Sequence, residues 1–362
     1  MCLDADSGHK PLLLMKLWSF CDVHLDLLLR SSTMSLPIAY THDRTADDLW
    51  LEKSSASSSA MVDLATASSD SETNVESTLE NTETAVWDLE TFTLWIDVRK
   101  CWIEDTVEAA ERFAESLTLV PPEEQNSLRR FHFRRDAAQH LASLLLQHLV
   151  ISQLADVPWV ESRVSRTFMG RPFHEQARFD YNVSHHSGRV AIGVRVADSR
   201  HIGIDVVDPE DATRNWKPGW IDDFHDIFTE SEYAQILRDG KKEIEITKRR
   251  LFTFWALKEA YTKAVGIGLV TDLRTIEFSR VEDVDITERP YTRSTICKVS
   301  NEVIDWRFEV FALEDDLILA TATTNEGLFS GGTTKIKKIE LDYITKVAVQ
   351  YHLPITLAPH VV

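Results

Sequence analysis

Apolar and polar residues alternate over Thr91–Val98, T-F-T-L-W-I-D-V, in a stretch rich in β-branched and aromatic side chains, which predicts a strand. Pro121 and Pro122 then introduce a helical period. Phe131, Ala138, Leu141, Leu145, Leu149 and Ile151 fall near helical spacing, with Arg and Gln on the other faces. Three short strand patterns follow, around Val183, Ile192 and Ile204. A second round opens at F-T-E-S-E-Y, where Thr229 with Glu232 three residues on predicts a capping box. A longer helix is expected from about Ile246 to Val265, stopped by Gly266. Strands are expected at Arg274–Ser279, Ser294–Ser300, Trp306–Leu313 and Leu317–Thr324, and from Thr345 the chain reads as a tail. Two rounds of strands and long helices imply an α+β fold of two similar halves, without a repeat of fixed period.

Ahead of this lies a different kind of sequence. Ser54–Thr84 is rich in Ser, Thr, Ala and Glu and has no aromatic residue. It cannot bury enough apolar surface to offset the entropy lost on ordering. Pro11–Leu29 is leucine-rich, but Lys16, Asp22, His24 and Asp26 interrupt it and no small-residue cleavage site follows. That excludes both a secretory signal and a membrane span; Met34 stands as an alternative start. The expected division is a disordered or dispensable extension (1–86), an N-terminal half (87–206), a C-terminal half (207–344) and a tail (345–362).

Charge narrows the class of ligand. The formal net charge of -19 argues against nucleic acid as a partner. The first 86 residues hold 14 Asp and Glu against 5 Lys and Arg, whereas Arg129–Arg189 holds nine Arg against five acidic residues. A basic island in an acidic chain suits a compact anion; solvated arginines are the alternative. Cys2, Cys21, Cys101 and Cys297 form no C-x-x-C pair and no zinc spacing with histidine, which suits a reducing cytoplasm.

Three stretches bear candidate chemistry. In Y-N-V-S-H-H-S-G (Tyr181–Gly188), polar side chains run off a strand into a glycine turn, where donors can meet an anion. Neighbouring histidines on a strand face opposite ways, so one enters a site at most, and a plain structural turn is the alternative. In I-G-I-D-V-V-D-P (Ile202–Pro209), Asp205 interrupts an apolar strand. A carboxylate there must be paired, hydrogen-bonded or bound to a cation such as Mg²⁺, unless it only caps the next turn. In F-W-A-L-K-E-A-Y-T-K-A-V-G-I-G-L (Phe254–Leu269), Glu259 and Lys263 share one helix face. The pair suits a metal-bound diphosphate, and equally an ordinary surface ion pair.

In order and spacing, the S-H turn, the strand Asp and the W-x-x-K-E-x-x-x-K helix resemble the Sfp-type 4′-phosphopantetheinyl transferases, especially the eukaryotic members. F-R-R-D-A near Arg135, V-P-W at Val157–Trp159 and R-T-F-M-G-R-P from Arg166 to Pro172 extend the likeness from about Trp87 to Thr324. The resemblance implies two α+β halves about a pseudo-twofold axis, with coenzyme A in the cleft between them. It assigns Asp205 and Glu259 to Mg²⁺ and Lys263 to the cofactor phosphates. Arg135, Arg166, Arg171, Asn182, Ser184 and His185 fall to coenzyme A. The serine hydroxyl of an apo-carrier protein would attack the β-phosphate and 3′,5′-ADP would leave, with Glu259 receiving the proton.

Many bacterial relatives have Asp-x-Glu at the metal strand; here Val207 replaces the second carboxylate. The position after S-H, often Gln in eukaryotic members, is His186, a candidate third metal ligand although Mg²⁺ prefers oxygen. Expected carriers are acyl and peptidyl carrier domains of fatty acid, polyketide and non-ribosomal peptide synthesis, or of aminoadipate reductase in lysine synthesis. A cytoplasmic monomer is expected. The competing readings are a non-catalytic module binding coenzyme A or carrier protein, and a metal-dependent phosphohydrolase lacking an evident extra base.

Overall fold

The computed structural model describes residues 86–350 apart from 176–177, 198–200, 214–218, 239–243, 268–271, 284–293, 315–316 and 326–333. The expected N-terminal extension up to 85 and the last residues, 351–362, lie outside the described residues. The N-terminal part contains β1 (Thr91–Asp97), α1 (Val107–Leu117), α2 (Pro122–Leu128), α3 (Arg134–Ala155), the two-residue strands β2 (Ser165–Arg166) and β3 (Pro172–Phe173), β4 (Asp180–His186) and β5 (Arg189–Arg195). After it come β6 (Ile202–Val207), α4 (Pro209–Thr213), α5 (Glu230–Ile236) and α6 (Ile244–Val265). The chain closes with β7 (Ile276–Ser279), β8 (Ile296–Val299), β9 (Glu302–Val303), β10 (Trp306–Ala312), β11 (Ile318–Thr324), β12 (Lys335–Lys338) and α7 (Leu341–Gln350).

Each half sets one long helix against a sheet. The sheet order is β12-β1-β5-β4 in one half and β10-β11-β6 in the other. Helix α3 buries Leu141, Leu145 and Leu149 against β5 and β4, and α6 buries Trp255, Leu257 and Ala260 against β6 and β11. The helical pattern after Pro121 divides into α2 and α3, because the chain passes through an extended Phe133 before α3 begins. A third apolar cluster of Trp95, Ala191, Ile202, Ile204, Val206 and Leu319 joins the two sheets.

The junction of β4 with β6 sets the site. These strands share no backbone ladder. Instead, alternate side chains of β4 accept the alternate backbone N–H groups of β6. Asp180 Oδ2 takes Ile202 N–H (2.9 Å), Asn182 Oδ1 takes Ile204 N–H (3.0 Å), Ser184 Oγ takes Val206 N–H (3.2 Å) and His186 Nδ1 takes Asp208 N–H (2.9 Å). The two-residue period of a strand puts all four acceptors on one face. Buried N–H groups need partners, so the polar run of β4 satisfies what a neighbouring strand would otherwise satisfy. A Cβ on Gly193 of β5 would lie 2.4 Å from Ile204 Cγ2, so this close contact between the sheets requires glycine.

Beyond β11 the structure departs from the expected tail. Residues 341–350 are the helix α7, whose Leu341, Ile344, Val347 and Ala348 are buried in the core around α3. Strand β12 pairs in parallel with β1, so the chain returns to the N-terminal half before residue 344. A clasp in the C-terminal half anchors the crossing: Glu309 of β10 accepts from the hydroxyl and N–H of Thr334. Apolar positions in α7 at helical spacing explain why it folds onto the core rather than trailing into solvent.

Candidate active site

Asp205 stands in β6 on the face turned to α6, beside Gly203. A Cβ at Gly203 would come within 2.0 Å of Ala260 O and 2.5 Å of Ala264 N, so glycine lets helix and strand touch. This contact brings Glu259 and Lys263, one helical turn apart, over the Asp205 carboxylate. Lys263 Nζ donates to Asp205 Oδ1 at 2.6 Å and to Ser184 Oγ at 3.0 Å, and Ser184 Oγ donates to Asp205 Oδ1 at 3.0 Å. Lys258, the other lysine of W-x-x-K-E, points into the core instead. It pairs with Glu232 at 2.9 Å, both fully buried, and donates to the carbonyls of Leu273 and Ile276. The predicted capping box at Thr229 is present, and its Glu232 thus also neutralises Lys258.

Asp205 and Glu259 are only 1% and 2% exposed. Asp205 Oδ2 and Glu259 Oε1 have no hydrogen-bond partner among the described residues. Burial first, and then the Asp205 charge, push Glu259 up to about 8, with Lys263 opposing. Two buried carboxylates that repel each other and hold orphaned oxygens are a costly arrangement without a cation. Hard oxygen donors of this kind fit a small divalent ion.

His186 does not join them. Its Nδ1 accepts the Asp208 N–H, so Nε2 carries the proton and lies 3.8 Å from Asp211 Oδ2. Among the described residues no group of three His, Cys, Asp or Glu side chains is arranged to hold a metal. The ring ties β4 to β6 instead. Asn182, expected at coenzyme A, is likewise buried and occupied as the Ile204 acceptor. Arg171 donates to Asp180 at 2.5 Å and to Ile202 O at 2.9 Å, fixing the base of the β2–β3 hairpin to the β4–β6 junction.

His185 faces the opposite way from Ser184 and His186, as alternation on a strand requires. Burial, and then the charge of Lys263, lower it to about 3, which leaves a neutral ring whose Nδ1 has no partner among the described residues. The charge of Arg135 also reaches His185, and that of Arg166 reaches His140 and Tyr181. Arg166 is exposed, bonded through Nη1 to Gly170 O. Arg135, Arg166 and Arg171 of the basic island therefore converge along β4. Three participants escaped the sequence reading: Asp211, which pairs with Arg135; Asp180, which pairs with Arg171; and Gln139, whose Oε1 accepts Gly188 N–H at 2.7 Å and pins the turn after the histidines. Only the D-P-E-D run announced one of them, as a helix start after the strand.

The sequence family described as "4′-phosphopantetheinyl transferase, N-terminal" matches residues 108–196, and the "4′-phosphopantetheinyl transferase superfamily" matches residues 201–322. The L-aminoadipate-semialdehyde dehydrogenase-phosphopantetheinyl transferase of Xenopus laevis is 31% identical over 215 residues, 56% of this chain and 68% of the relative. The chain belongs to the 4′-phosphopantetheinyl transferase superfamily. Two fungal members extend the match: 4′-phosphopantetheinyl transferase 1 of Fusarium mangiferae, 30% identical over 55% of this chain and 74% of its own, and 4′-phosphopantetheinyl transferase NpgA of Emericella nidulans, 29% identical over 63% and 82%. As a phosphopantetheinyl transferase of this eukaryotic type, the protein is an enzyme that transfers phosphopantetheine to carrier proteins. The superfamily uses coenzyme A as donor substrate and a divalent metal. No helix among the described residues is long and apolar enough to cross a membrane.

Proposed function

We propose that Asp205 and Glu259 hold Mg²⁺ and that Lys263 and Ser184 receive the diphosphate of coenzyme A, for transfer to a carrier-protein serine with release of 3′,5′-ADP. The observation behind this reading is the pair of buried carboxylates with orphaned oxygens, bridged on one side by Lys263. When bound, Mg²⁺ would neutralise charge on the diphosphate oxygens during in-line transfer. Lys263 already sits on Asp205 Oδ1 and Ser184 Oγ, where its charge can be shared with phosphate oxygens. Glu259, the buried carboxylate beside Asp205, is the group placed to accept the serine proton.

We assign the outer part of coenzyme A to Arg135 and Arg166, whose guanidinium groups reach solvent, and to the neutral His185, whose Nδ1 has no partner among the described residues. Arg171 and Asn182 serve the scaffold, through the bonds of Arg171 Nη2 to Asp180 Oδ2 and Ile202 O and of Asn182 Oδ1 to the Ile204 N–H. The carriers are acyl and peptidyl carrier domains and the carrier domain of aminoadipate reductase. The similarity to transferases named for L-aminoadipate-semialdehyde dehydrogenase supports the last of these. We read the enzyme as a cytoplasmic monomer, divided near residue 206 into two halves, with β12 and α7 assigned to the first. The test is the intact mass of an apo-carrier after incubation with coenzyme A and Mg²⁺: one phosphopantetheine gained, with 3′,5′-ADP in equal amount. A diverse carrier panel left unmodified by protein that binds coenzyme A would instead support the non-catalytic module.

A further inference from the structure

Arg135 is the second residue of α3, in the N-terminal half, and Asp211 lies in α4, just after β6 in the other half. Their side chains meet across the junction, Arg135 Nη1 donating to Asp211 Oδ2 at 3.2 Å. The Asp211 side chain is 6% exposed and that of Arg135 is 45% exposed, so the carboxylate is enclosed while much of the guanidinium stays open.

The enclosed carboxylate is itself held from several sides. The Asp211 backbone N–H donates to Asp208 Oδ1 at 3.1 Å, and Asp208 is held by Arg189 at 2.9 Å. His186 Nε2 lies 3.8 Å from Asp211 Oδ2, beyond hydrogen-bond distance, in an orientation set by the bond from Asp208 N–H to Nδ1. On its other side Arg135 Nε lies 3.8 Å from Asp136 Oδ1. An arginine on a half-open helix start has several rotatable bonds to immobilise when it grips an anion. Fixing one terminal nitrogen beforehand reduces that cost and aims the remaining donors.

We infer that Asp211 is a positioning residue for coenzyme A binding, orienting Arg135 from the opposite half with His186 and Asp208 behind it. The inference rests on the clamp proposed above, in which Arg135 touches coenzyme A. It gives His186 a role beyond its bond at the strand junction, since its Nε2 stands 3.8 Å from Asp211 Oδ2. It also accounts for a buried acid within a site that binds a polyanion. Unpaired, that carboxylate would repel the ligand, but paired it neutralises only one edge of a cation with five donors.

Steady-state kinetics of the full chain with coenzyme A and one apo-carrier test this. Asp211→Asn should raise the KM for coenzyme A about three- to ten-fold and leave kcat within about two-fold, the pattern of lost uniform binding. Arg135→Ala should raise KM at least as much, and Arg135→Ala combined with Asp211→Asn should be no worse than Arg135→Ala alone, because the carboxylate acts through the guanidinium. Asp211→Glu, which retains the charge, should recover part of the affinity. Calorimetric titration of coenzyme A into each variant, after confirming cooperative melting, separates weaker binding from misfolding. An unchanged or lower KM for Asp211→Asn overturns the inference, as do losses that multiply in the double variant. An unchanged KM for Arg135→Ala overturns the clamp reading and this inference with it.

Discussion

Glu259→Gln separates the electrostatic cost of the site from its catalytic use. In the folded protein burial and Asp205 push Glu259 up to about 8, against an ordinary 4.5. Between those two values the folded state binds a proton that the unfolded state has released, so stability falls as pH rises through the window. The carboxylate contributes almost nothing to this loss below the ordinary value, and the loss is nearly complete once the folded group ionises. At about 1.4 kcal/mol per unit, the wild type should lose about 3 kcal/mol from this one group between about pH 5 and about pH 8. The amide of Gln is nearly isosteric and does not titrate, so the variant should be spared that loss. Thermal melts of both proteins in metal-free buffer across this range test the point. The variant should melt about 10 °C above the wild type at the alkaline end, and the gap should narrow toward the acidic end. Adding Mg²⁺ should raise the wild-type melting temperature more than that of the variant, since binding to the folded state stabilises by mass action. The variant should at the same time show almost no transfer to an apo-carrier. Parallel pH profiles for the two proteins would refute the reasoning, because Glu259 would then not be a buried acid forced to ionise.

Lys258→Met should leave Glu232 buried without its counter-charge, at a cost of about 3–5 kcal/mol, and lower the melting temperature by about 10 °C in calorimetry. A melting temperature within error of the wild type would remove this pair from the supports of the α6 helix. Gly203→Ala should abolish transfer and lower solubility, because the added Cβ would lie 2.0 Å from Ala260 O and force α6 away from β6. Activity measured on any soluble fraction checks this, and normal turnover would mean that the strand–helix contact tolerates separation. Arg166→Ala should raise the KM for coenzyme A more than that for dephospho-coenzyme A, compared by steady-state kinetics. Equal increases would place Arg166 away from the 3′-phosphate.

Local rules made much of this protein legible in its sequence. The alternation of Thr91–Val98 and the capping box at Thr229 depend on near neighbours in the chain, and both are found where expected. Asp205 drew attention because an ionisable side chain in an apolar strand is costly wherever that strand lies. Glu259 and Lys263 share a helix face by period alone. What the period could not say is which lysine of K-E-A-Y-T-K meets Asp205. Lys258 and Lys263 are chemically alike, and only the packing of α6 on Gly203 sends one into the core and the other to the site.

Tertiary structure alone decided the roles of the polar run Asp180, Asn182, Ser184 and His186. In the sequence Asn182, Ser184 and His186 read as donors to an anion or ligands to a metal, and Asp180 carried no assignment. In the structure they accept the N–H groups of a strand 22 residues further on, a demand that exists only because β4 and β6 come together. The same holds for α7, whose apolar face has meaning only beside α3, and for Asp211, whose partner lies 76 residues away. A sequence records which side chains can ionise, donate or bury area. Which buried groups need each other is fixed only when distant segments exclude water from the same place, because there an unmet charge or hydrogen bond becomes expensive.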